Sequence, residues 1–381
     1  MLELLSSWLV STLVTMGLVR LFKLRGSRFI DRDFAKPQGV HVVPVPRAGG
    51  VAILLGLLAG SLLLSWRQPG TSGPLALILL ACAAPAFLAG LLHDLTDSWT
   101  PRGRLLATAL SAALAYYALD AAIVQTAIPG LDWVVQFAAG SLILTILAVA
   151  GIANSINIID GLNGLASMCV ALMLGAISYV AFQVDDPFMG ALALCGLGAV
   201  LGFFIWNFPA GLIFLGDGGA YLLGFFVAEV SILLLVRNPG EVSPIFPLLV
   251  CVYPAFETLF SIYRRSFLRA TAPSLPDGIH LHSLIYRRVM RWTVGAKGAK
   301  ALTRRNSMTS PYLWLLCMMS LVPATLFWNN TAVLTVALLL FVVSYSFLYW
   351  RIVRFRSPRW MVLPLIQGRS RAARNRADKS H

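Results

Sequence analysis

The side chains in this sequence that could do chemistry lie in a few short polar segments between long apolar runs. The segments are PRAGG at 46–50, HDLTDSWTPRGR at 93–104, NSINIIDGLNG at 154–164, GDGG at 216–219 and PDGIHLHSLIYRR at 276–288. Carboxylate and amide oxygens are ligands for hard cations, and histidine and arginine side chains donate hydrogen bonds to phosphate. Ionisable groups at a membrane are costly and are therefore candidates for function. Together the segments predict one composite site for a metal ion and a phosphorylated substrate.

The aspartates in two of these segments predict metal binding and proton transfer. Asp217 stands between glycines, so its carboxylate is open to a cation such as Mg²⁺, which completes its shell with water and substrate phosphate. Asp94 and Asp97 are three residues apart and share a helical face, where one could act as a base beside the metal. Simpler interpretations compete, because each of these aspartates could cap or end a helix. His93 beside them is more typical of a structural histidine, and PRAGG alone is typical of an entry turn.

A polar run follows the fifth apolar stretch of the chain. Asn154, Asn157, Asp160 and Asn163 recur at every third position, with Gly161 and Gly164 at the end. Steps of three keep these groups near one side of a helix, where amides and a carboxylate can ligate a metal or bind a sugar or nucleobase. The competing interpretation is polar contact between helices.

The last polar segment carries two histidines and a pair of arginines. His280 and His282 alternate with apolar residues, and Arg287 and Arg288 follow them. Imidazole and guanidinium groups suit a phosphate, although a solvated basic loop is also consistent with this pattern. A zinc pair is the weaker idea, because no cysteine or third histidine lies nearby in the sequence.

The elements that must position these segments are membrane-spanning helices. The chain has 381 residues, of which 58% are hydrophobic and 12% charged, and its mean hydropathy is +0.78. Soluble domains average about 45–50% apolar and about 25% charged residues, so the composition predicts an all-α polytopic membrane protein. Eleven spans are predicted, near 4–22, 48–66, 74–92, 105–124, 133–151, 165–183, 189–206, 212–236, 244–263, 311–328 and 331–350.

The positions of the cations predict the orientation. If the N-terminus is periplasmic, only Arg67 and Arg237 of the 30 lysines and arginines lie outside, as the positive-inside rule requires. The C-terminus and all the polar segments are then cytoplasmic. The net charge of +14 is explained by this bias and by attraction to anionic membrane lipids, so no nucleic-acid partner is expected. We expect one transmembrane catalytic domain at 1–350 and a basic cytoplasmic tail at 351–381.

The ordered segments resemble those of the polyprenyl-phosphate N-acetylhexosamine-1-phosphate transferases, which form glycosyltransferase family 4. The resemblance runs from about residue 43 to about residue 315 and is nearest to the branch of initiating undecaprenyl-phosphate GlcNAc-1-phosphate transferases. It implies an enzyme of the bacterial inner membrane that moves a phospho-N-acetylhexosamine from a UDP-sugar to polyprenyl phosphate and releases UMP. This reaction would start a cell-envelope glycan such as O-antigen lipopolysaccharide or common antigen.

The resemblance also implies roles for individual residues. Asp217 and Asn157 match the ligands of Mg²⁺, for which Mn²⁺ could substitute, and Asp94 and Asp160 match catalytic positions. The residues that match substrate-binding positions are His93, Asp97, Arg104, Asn163, His280 and His282. Three positions depart from the family pattern: His93 replaces an aspartate, Asn163 replaces an acid, and Ser283 replaces a histidine.

Several alternatives stay open at this point. The substitution at His93 is consistent with an inactive relative that serves as a scaffold or regulator. A membrane transporter would place its polar groups near the bilayer midplane and show internal repeats, neither of which the sequence has. A CDP-alcohol phosphatidyltransferase would follow Asp160-Gly161 with an arginine motif that is absent here. The hexosamine, the polyprenol length and a homodimeric assembly are not fixed by the residues.

Overall fold

The computed structural model describes residues 1–25, 45–68, 70, 73–268, 279–290 and 299–354. Most of the predicted cytoplasmic tail, from residue 355 on, lies outside the described residues, as do residues 276–278 of the last polar segment. The helices are α1 Leu2–Arg25, α2 Gly49–Arg67, α3 Gly73–Cys82, α4 Ala84–Thr96, α5 Pro101–Leu119, α6 Pro129–Val135, α7 Ala138–Ile159, α8 Leu165–Gln183, α9 Pro187–Asn207, α10 Gly216–Arg237, α11 Ile245–Val250, α12 Val252–Tyr263, α13 Leu281–Leu284, α14 Ala299–Leu326 and α15 Thr331–Val353.

The predicted all-α membrane class is confirmed. Each predicted span overlaps one helix or a pair of helices that one or two residues separate. Among the described residues, eight helices are long and apolar enough to cross a membrane, and the pair α3–α4, bent by 43°, makes a ninth candidate. The spans predicted over α5 and over α11–α12 do not meet that measure. The chain is therefore a multi-pass membrane protein, while the number eleven and the orientation stay predictions.

Helix α10 lies at the centre of the bundle. It is buried along almost its whole length and packs mainly against α4 and α7, with α2 and α8 also in contact. Helices α1, α2 and α9 pack together on one side. Helix α15 is the opposite case, because apolar side chains such as Leu339, Val343 and Phe347 are exposed along it. Exposed leucine, valine and phenylalanine on a spanning helix face the lipid tails.

The two ends of the bundle have different chemistry. At one end, two ion pairs connect helix termini: Arg67 Nη1 lies 2.5 Å from Glu3 Oε1, and Arg237 Nε lies 2.7 Å from Asp186 Oδ2. At the other end, α2, α8 and α10 begin and α4 and α7 finish, which brings the predicted polar segments together. The helix directions thus place these predicted polar segments at a single end of the bundle.

Glycines let the backbones touch where α10 begins. A Cβ atom on Gly90 of α4 would lie 2.5 Å from the amide nitrogen of Gly218, and one on Gly50 of α2 would lie 2.4 Å from that of Gly219. These distances are shorter than any real contact of a Cβ atom with backbone. Small residues at helix crossings allow such close approach in membranes. The start of α10 is therefore fixed between α2 and α4 by backbone contact.

We predict that Gly90→Ala destabilises the protein, because its methyl group would overlap the backbone of α10. Overpacking of this kind costs about 1–3 kcal/mol. Gly175→Ala in α8 is the matched control, since a Cβ atom there meets nothing within 4 Å. Thermal unfolding in detergent should show a lower midpoint for Gly90→Ala and an unchanged or higher midpoint for Gly175→Ala. Equal midpoints for the two variants would contradict the close approach.

Candidate active site

The first turn of α10 is held by a carboxylate from another helix. The opening N–H groups of a helix have no partner within the helix, and its N-terminus carries a partial positive charge. Here Asp217 N donates to Asp94 Oδ1 and Gly218 N donates to Asp94 Oδ2, each at 3.0 Å. Asp94 is only 8% exposed. Gly216 makes room for it, because a Cβ atom at this position, whose φ is 77°, would lie 2.7 Å from Asp94 Oδ2.

Asp217 lies in that first turn and gathers three of the predicted residues around it. Its Oδ1 accepts a 3.0 Å hydrogen bond from Asn157 Nδ2 at the end of α7. Its Oδ2 forms an ion pair with the Arg104 guanidinium of α5, and His93 Nε2 lies 4.0 Å from the same oxygen. The Asp217 side chain is 21% exposed. The structure thus joins residues from four helices around one accessible carboxylate.

The donors at this point fit Mg²⁺. Asp217 supplies a carboxylate, and a half-turn of the Asn157 amide would present its oxygen beside that carboxylate. Mg²⁺ binds through one or two protein oxygens and takes its other ligands from water and substrate phosphates. Within the described residues there is no group of three or more histidines, cysteines or acids that could enclose a metal. One carboxylate and one amide suit a cation that takes most of its ligands from water and a phosphorylated substrate.

Arg47 in PRAGG is a site residue to which the sequence analysis assigned no role of its own. The segment pairs with the turn before GDGG: Phe214 N donates to Pro46 O, and Gly49 N donates to Phe214 O, both at 2.9 Å. This pairing brings the Arg47 cation close enough to Asp160 to oppose, in part, the rise in the pKa of that carboxyl that burial causes. The signal in the sequence was one arginine two residues before a pair of glycines, which is too common to identify a site.

Asp160 directly follows the last residue of α7, and its carboxyl titrates near neutral pH. Burial of its carboxyl, together with the negative charge of Asp94, raises the pKa of Asp160 to about 7, and Arg47 opposes this shift. Carboxylates with such values exchange protons readily near neutral pH. The predicted catalytic pair, Asp94 and Asp160, is thus close enough to interact, but Asp94 already holds two backbone N–H groups.

Asn163 has the contacts of a residue that supports the loop. It is 1% exposed, its N–H donates to Asn306 Oδ1 at 2.7 Å, and its carbonyl accepts from Ser310 Oγ at 2.6 Å. Its side-chain amide donates to Pro209 O and to Ser307 Oγ, each at 3.3 Å. The predicted substrate contact of Asn163 stays a prediction, while the observed bonds tie NSINIIDGLNG to α14.

The paired histidines reach the same loop from the other side. The rings of His280 and His282 stack with centroids 5.4 Å apart and an interplanar angle of 5°. His282 Nε2 lies 2.8 Å from where a Cβ atom of Gly161 would be, so only glycine admits the imidazole there. His282 therefore adjoins the residue that follows Asp160, as the predicted composite site requires.

Two other predicted groups form no hydrogen bond or ion pair with Asp217 in the described part of the chain. Asp97 is exposed at the end of α4, where its N–H donates to His93 O at 2.8 Å. Arg288 donates to the carbonyls of Ile352 and Val353, at 2.9 and 2.5 Å, and so caps the end of α15. The structure does not bring the Asp97 carboxylate beside the candidate metal ligands, and Arg288 is engaged in holding a helix.

Comparison with known proteins shows that the chain is similar to transferases that act on polyprenyl phosphates. The family model described as "Glycosyl transferase family 4" matches residues 76–235. A probable undecaprenyl-phosphate N-acetylglucosaminyl 1-phosphate transferase of Bacillus subtilis is 28% identical over 283 residues, covering 74% of this chain and 77% of its own. An undecaprenyl-phosphate alpha-N-acetylglucosaminyl 1-phosphate transferase of Thermotoga maritima is 30% identical over 270 residues, 70% of this chain and 76% of its own. A decaprenyl-phosphate N-acetylglucosaminephosphotransferase of Mycolicibacterium smegmatis is 27% identical over 303 residues, 72% of each chain.

We predict that Asp94→Asn lowers stability even without substrate. The amide retains one acceptor but turns a donor towards a backbone N–H of α10, and an unsatisfied buried donor costs about 1–3 kcal/mol. Asp97→Asn, an exposed change three residues along, should stay within about 0.5 kcal/mol of the parent protein. Thermal unfolding in detergent measures both, and an unaltered Asp94→Asn would exclude the capping role.

We predict that Asp160→Asn stabilises the metal-free protein at alkaline pH. A carboxyl whose folded pKa is about 7 binds its proton more tightly in the folded state than in the unfolded state, where its pKa is 3.8. Folding stability therefore falls as pH rises from about 4 to about 7, by about 4 kcal/mol at most, and the amide avoids this loss. With a chelator present, the unfolding midpoints of Asp160→Asn and of the parent protein should differ more at about pH 8.5 than at about pH 5.5. A difference that does not change with pH would refute the raised pKa.

Proposed function

This chain belongs to glycosyl transferase family 4, among the polyprenyl-phosphate N-acetylglucosamine-1-phosphate transferases, and from this premise we propose that it joins a phospho-N-acetylhexosamine to undecaprenyl phosphate. UDP-N-acetylglucosamine is the first donor to consider, because the bacterial relatives carry N-acetylglucosamine in their names. The product, undecaprenyl diphosphate N-acetylglucosamine, would start a cell-envelope glycan at the bacterial inner membrane.

The observation that carries this proposal is the cluster around Asp217 at the start of α10. A partly exposed carboxylate, an amide, two arginines and a helix N-terminus converge at one end of a membrane bundle. Helix N-termini and guanidinium groups bind anionic phosphates. A site of this kind at the membrane edge suits a soluble diphosphate donor and a lipid phosphate acceptor.

The reaction follows from the two substrates. An oxygen of the lipid phosphate attacks the sugar-side phosphorus of the UDP-sugar and forms a new P–O bond. The bond from that phosphorus to the bridging oxygen breaks, and UMP leaves with the electron pair. Mg²⁺, held by Asp217 and Asn157, would supply charge neutralisation at the diphosphate.

The chain's own residues would bind and orient the two phosphates. Arg104 lies against Asp217 and would bind the donor diphosphate, while Arg47 adds a second cation beside Asp160. Asp160, with its pKa of about 7, would hold the proton that the lipid phosphate gives up as it attacks. Asp94 would act through α10, because it holds the turn that presents Asp217.

We predict that the purified protein releases UMP from UDP-N-acetylglucosamine in the presence of undecaprenyl phosphate and Mg²⁺, and that a chelator stops the reaction. Asp217→Asn removes the carboxylate ligand and should lower the rate by more than about a hundredfold. Loss of a group that only orients a metal ligand lowers activity by about a hundredfold at most, and the ligand itself should matter more. Asp185→Asn is the matched control, since this aspartate is exposed at the opposite end of the bundle. It should keep the full rate.

A panel of UDP-N-acetylhexosamines tests the donor in the same assay. Turnover with another hexosamine alone would correct the sugar but keep the reaction. Silence with every donor, in protein that unfolds cooperatively, would favour the inactive scaffold or regulator. Full turnover by Asp217→Asn would contradict the assigned metal site.

A further inference from the structure

A buried glutamate that no sequence motif identified lies behind the paired histidines. Glu257 of α12 is 2% exposed. Its Oε1 lies 3.0 Å from His280 Nδ1 and accepts from Leu281 N at 3.0 Å. Its Oε2 accepts from Tyr345 OH of α15 at 2.6 Å. Both carboxyl oxygens are therefore engaged, as a buried acid requires.

The same segment is held at the preceding residue. Arg264 Nη1 donates to Ile279 O at 2.6 Å, and Tyr349 OH donates to this carbonyl at 3.3 Å. The Arg264 guanidinium also donates to Tyr349 OH. Residues 279–281 are thus fixed by bonds from α12, from the turn that follows it and from α15. Such redundancy restrains both the backbone and the imidazole of His280.

The geometry of Glu257 determines which nitrogen of His280 carries hydrogen. A carboxylate can only accept, so the 3.0 Å contact requires a hydrogen on Nδ1 of His280. Phosphate oxygens accept hydrogen bonds, so His280 would bind one as the imidazolium, which donates from both ring nitrogens: Nδ1–H to Glu257 and Nε2–H to the phosphate. Histidines in functional sites are commonly oriented by a carboxylate on the far ring nitrogen. The parallel stacking transmits this orientation to His282, which adjoins Gly161.

We propose that Glu257 is a positioning residue, which orients His280 through its Nδ1–H and thereby sets the His280–His282 pair against the donor diphosphate. The diphosphate contact rests on the proposed function, but the Glu257–His280 bond does not. Tyr345 would secure the second oxygen of Glu257, so that the last helix, α15, contributes to the site without touching substrate.

A second buried glutamate provides a matched comparison. Glu229 of α10 is 0% exposed, and in the described part of the chain its two carboxyl oxygens have no hydrogen-bond partner. It differs from Glu257 in lacking an imidazole to orient. Replacing each glutamate by leucine therefore separates the loss of a buried acid from the loss of the histidine contact.

The experiment compares Glu257→Leu, Glu257→Gln and Glu229→Leu in the full-length protein. We expect Glu257→Leu to lower kcat/KM for the UDP-sugar by about tenfold to hundredfold, which is the usual effect of losing a group that orients another functional side chain. Glutamine retains an acceptor for Nδ1–H and should restore kcat/KM to within about threefold of the parent protein. Glu229→Leu should leave kcat/KM unchanged, and Tyr345→Phe should reduce it only severalfold.

Nitrogen-15 NMR of labelled histidines, in alkaline buffer, reads the ring directly. The chain has five histidines, so the His280 signal can be assigned by its absence from His280→Asn. We expect the Nδ1–H form of His280 in the parent protein and in Glu257→Gln, and its loss in Glu257→Leu. This readout needs no turnover, so a failed transferase assay with an intact Nδ1–H signal would count against the proposed function and not against the positioning bond.

Three results would overturn the proposal. One is a neutral His280 in the parent protein that carries its hydrogen on Nε2 and none on Nδ1, which is decisive even if Glu257→Leu does not fold. Another is a Glu257→Leu variant with parental kcat/KM. The third is a Glu257→Gln variant that is as inactive as Glu257→Leu although its own His280 Nδ1–H signal persists. The loss of activity would then come from the change in charge or packing at Glu257.

Discussion

The carboxylate of Asp94 closing the N-terminus of α10 is the contact on which the rest of the site depends. It satisfies two backbone N–H groups that otherwise have no acceptor, and it lies where the partial positive charge of the helix is greatest. Because both N–H groups belong to the first turn, the bond fixes the direction in which Asp217 leaves the helix. Asn157 from α7 and Arg104 from α5 can then converge on that carboxylate.

Close backbone packing makes this contact feasible. The glycines of α2, α4 and α10 allow these three helices to approach closely at the start of α10, where Asp94 binds. Any larger residue at these positions would force the helices apart. The second support is the polar network behind NSINIIDGLNG. Gly164 N donates to Asn207 Oδ1 at 2.6 Å, and Trp314 Nε1 donates to Gly164 O at 3.0 Å. Asp160 and Gly161 are thus presented from a loop that is bonded to α9 and α14.

The sequence was enough to predict the class of the protein, because an apolar run long enough to cross a membrane can satisfy its backbone hydrogen bonds there almost only as a helix. It also placed Asp217, Asn157 and Arg104 in one site, because each follows or begins a predicted span on the same side. It could not assign the cap of α10. A helix-capping role was considered for Asp217, yet the cap is Asp94, which is 123 residues away in the chain.

The residues missed by sequence reasoning have long-range contacts in common. Arg47 matters through its pairing with the turn before GDGG, and Glu257 through bonds to His280 and to Tyr345, 88 residues further on. A single arginine in a turn or a single glutamate in an apolar run carries no spacing signal. Conversely, Asn163 fitted the polar periodicity, but that period does not distinguish a side chain that faces the substrate from one that holds the loop.

The most direct test of the account follows the phosphorus atom. Purified protein would be given UDP-N-acetylglucosamine labelled with ³²P in the sugar-side phosphate, together with undecaprenyl phosphate and Mg²⁺, and the lipid and aqueous phases would be separated. The account predicts that the label moves into the lipid with the sugar while unlabelled UMP appears in water. Sugar transfer with the label left behind in UDP would contradict phosphosugar transfer, and with it the roles assigned to the residues around Asp217.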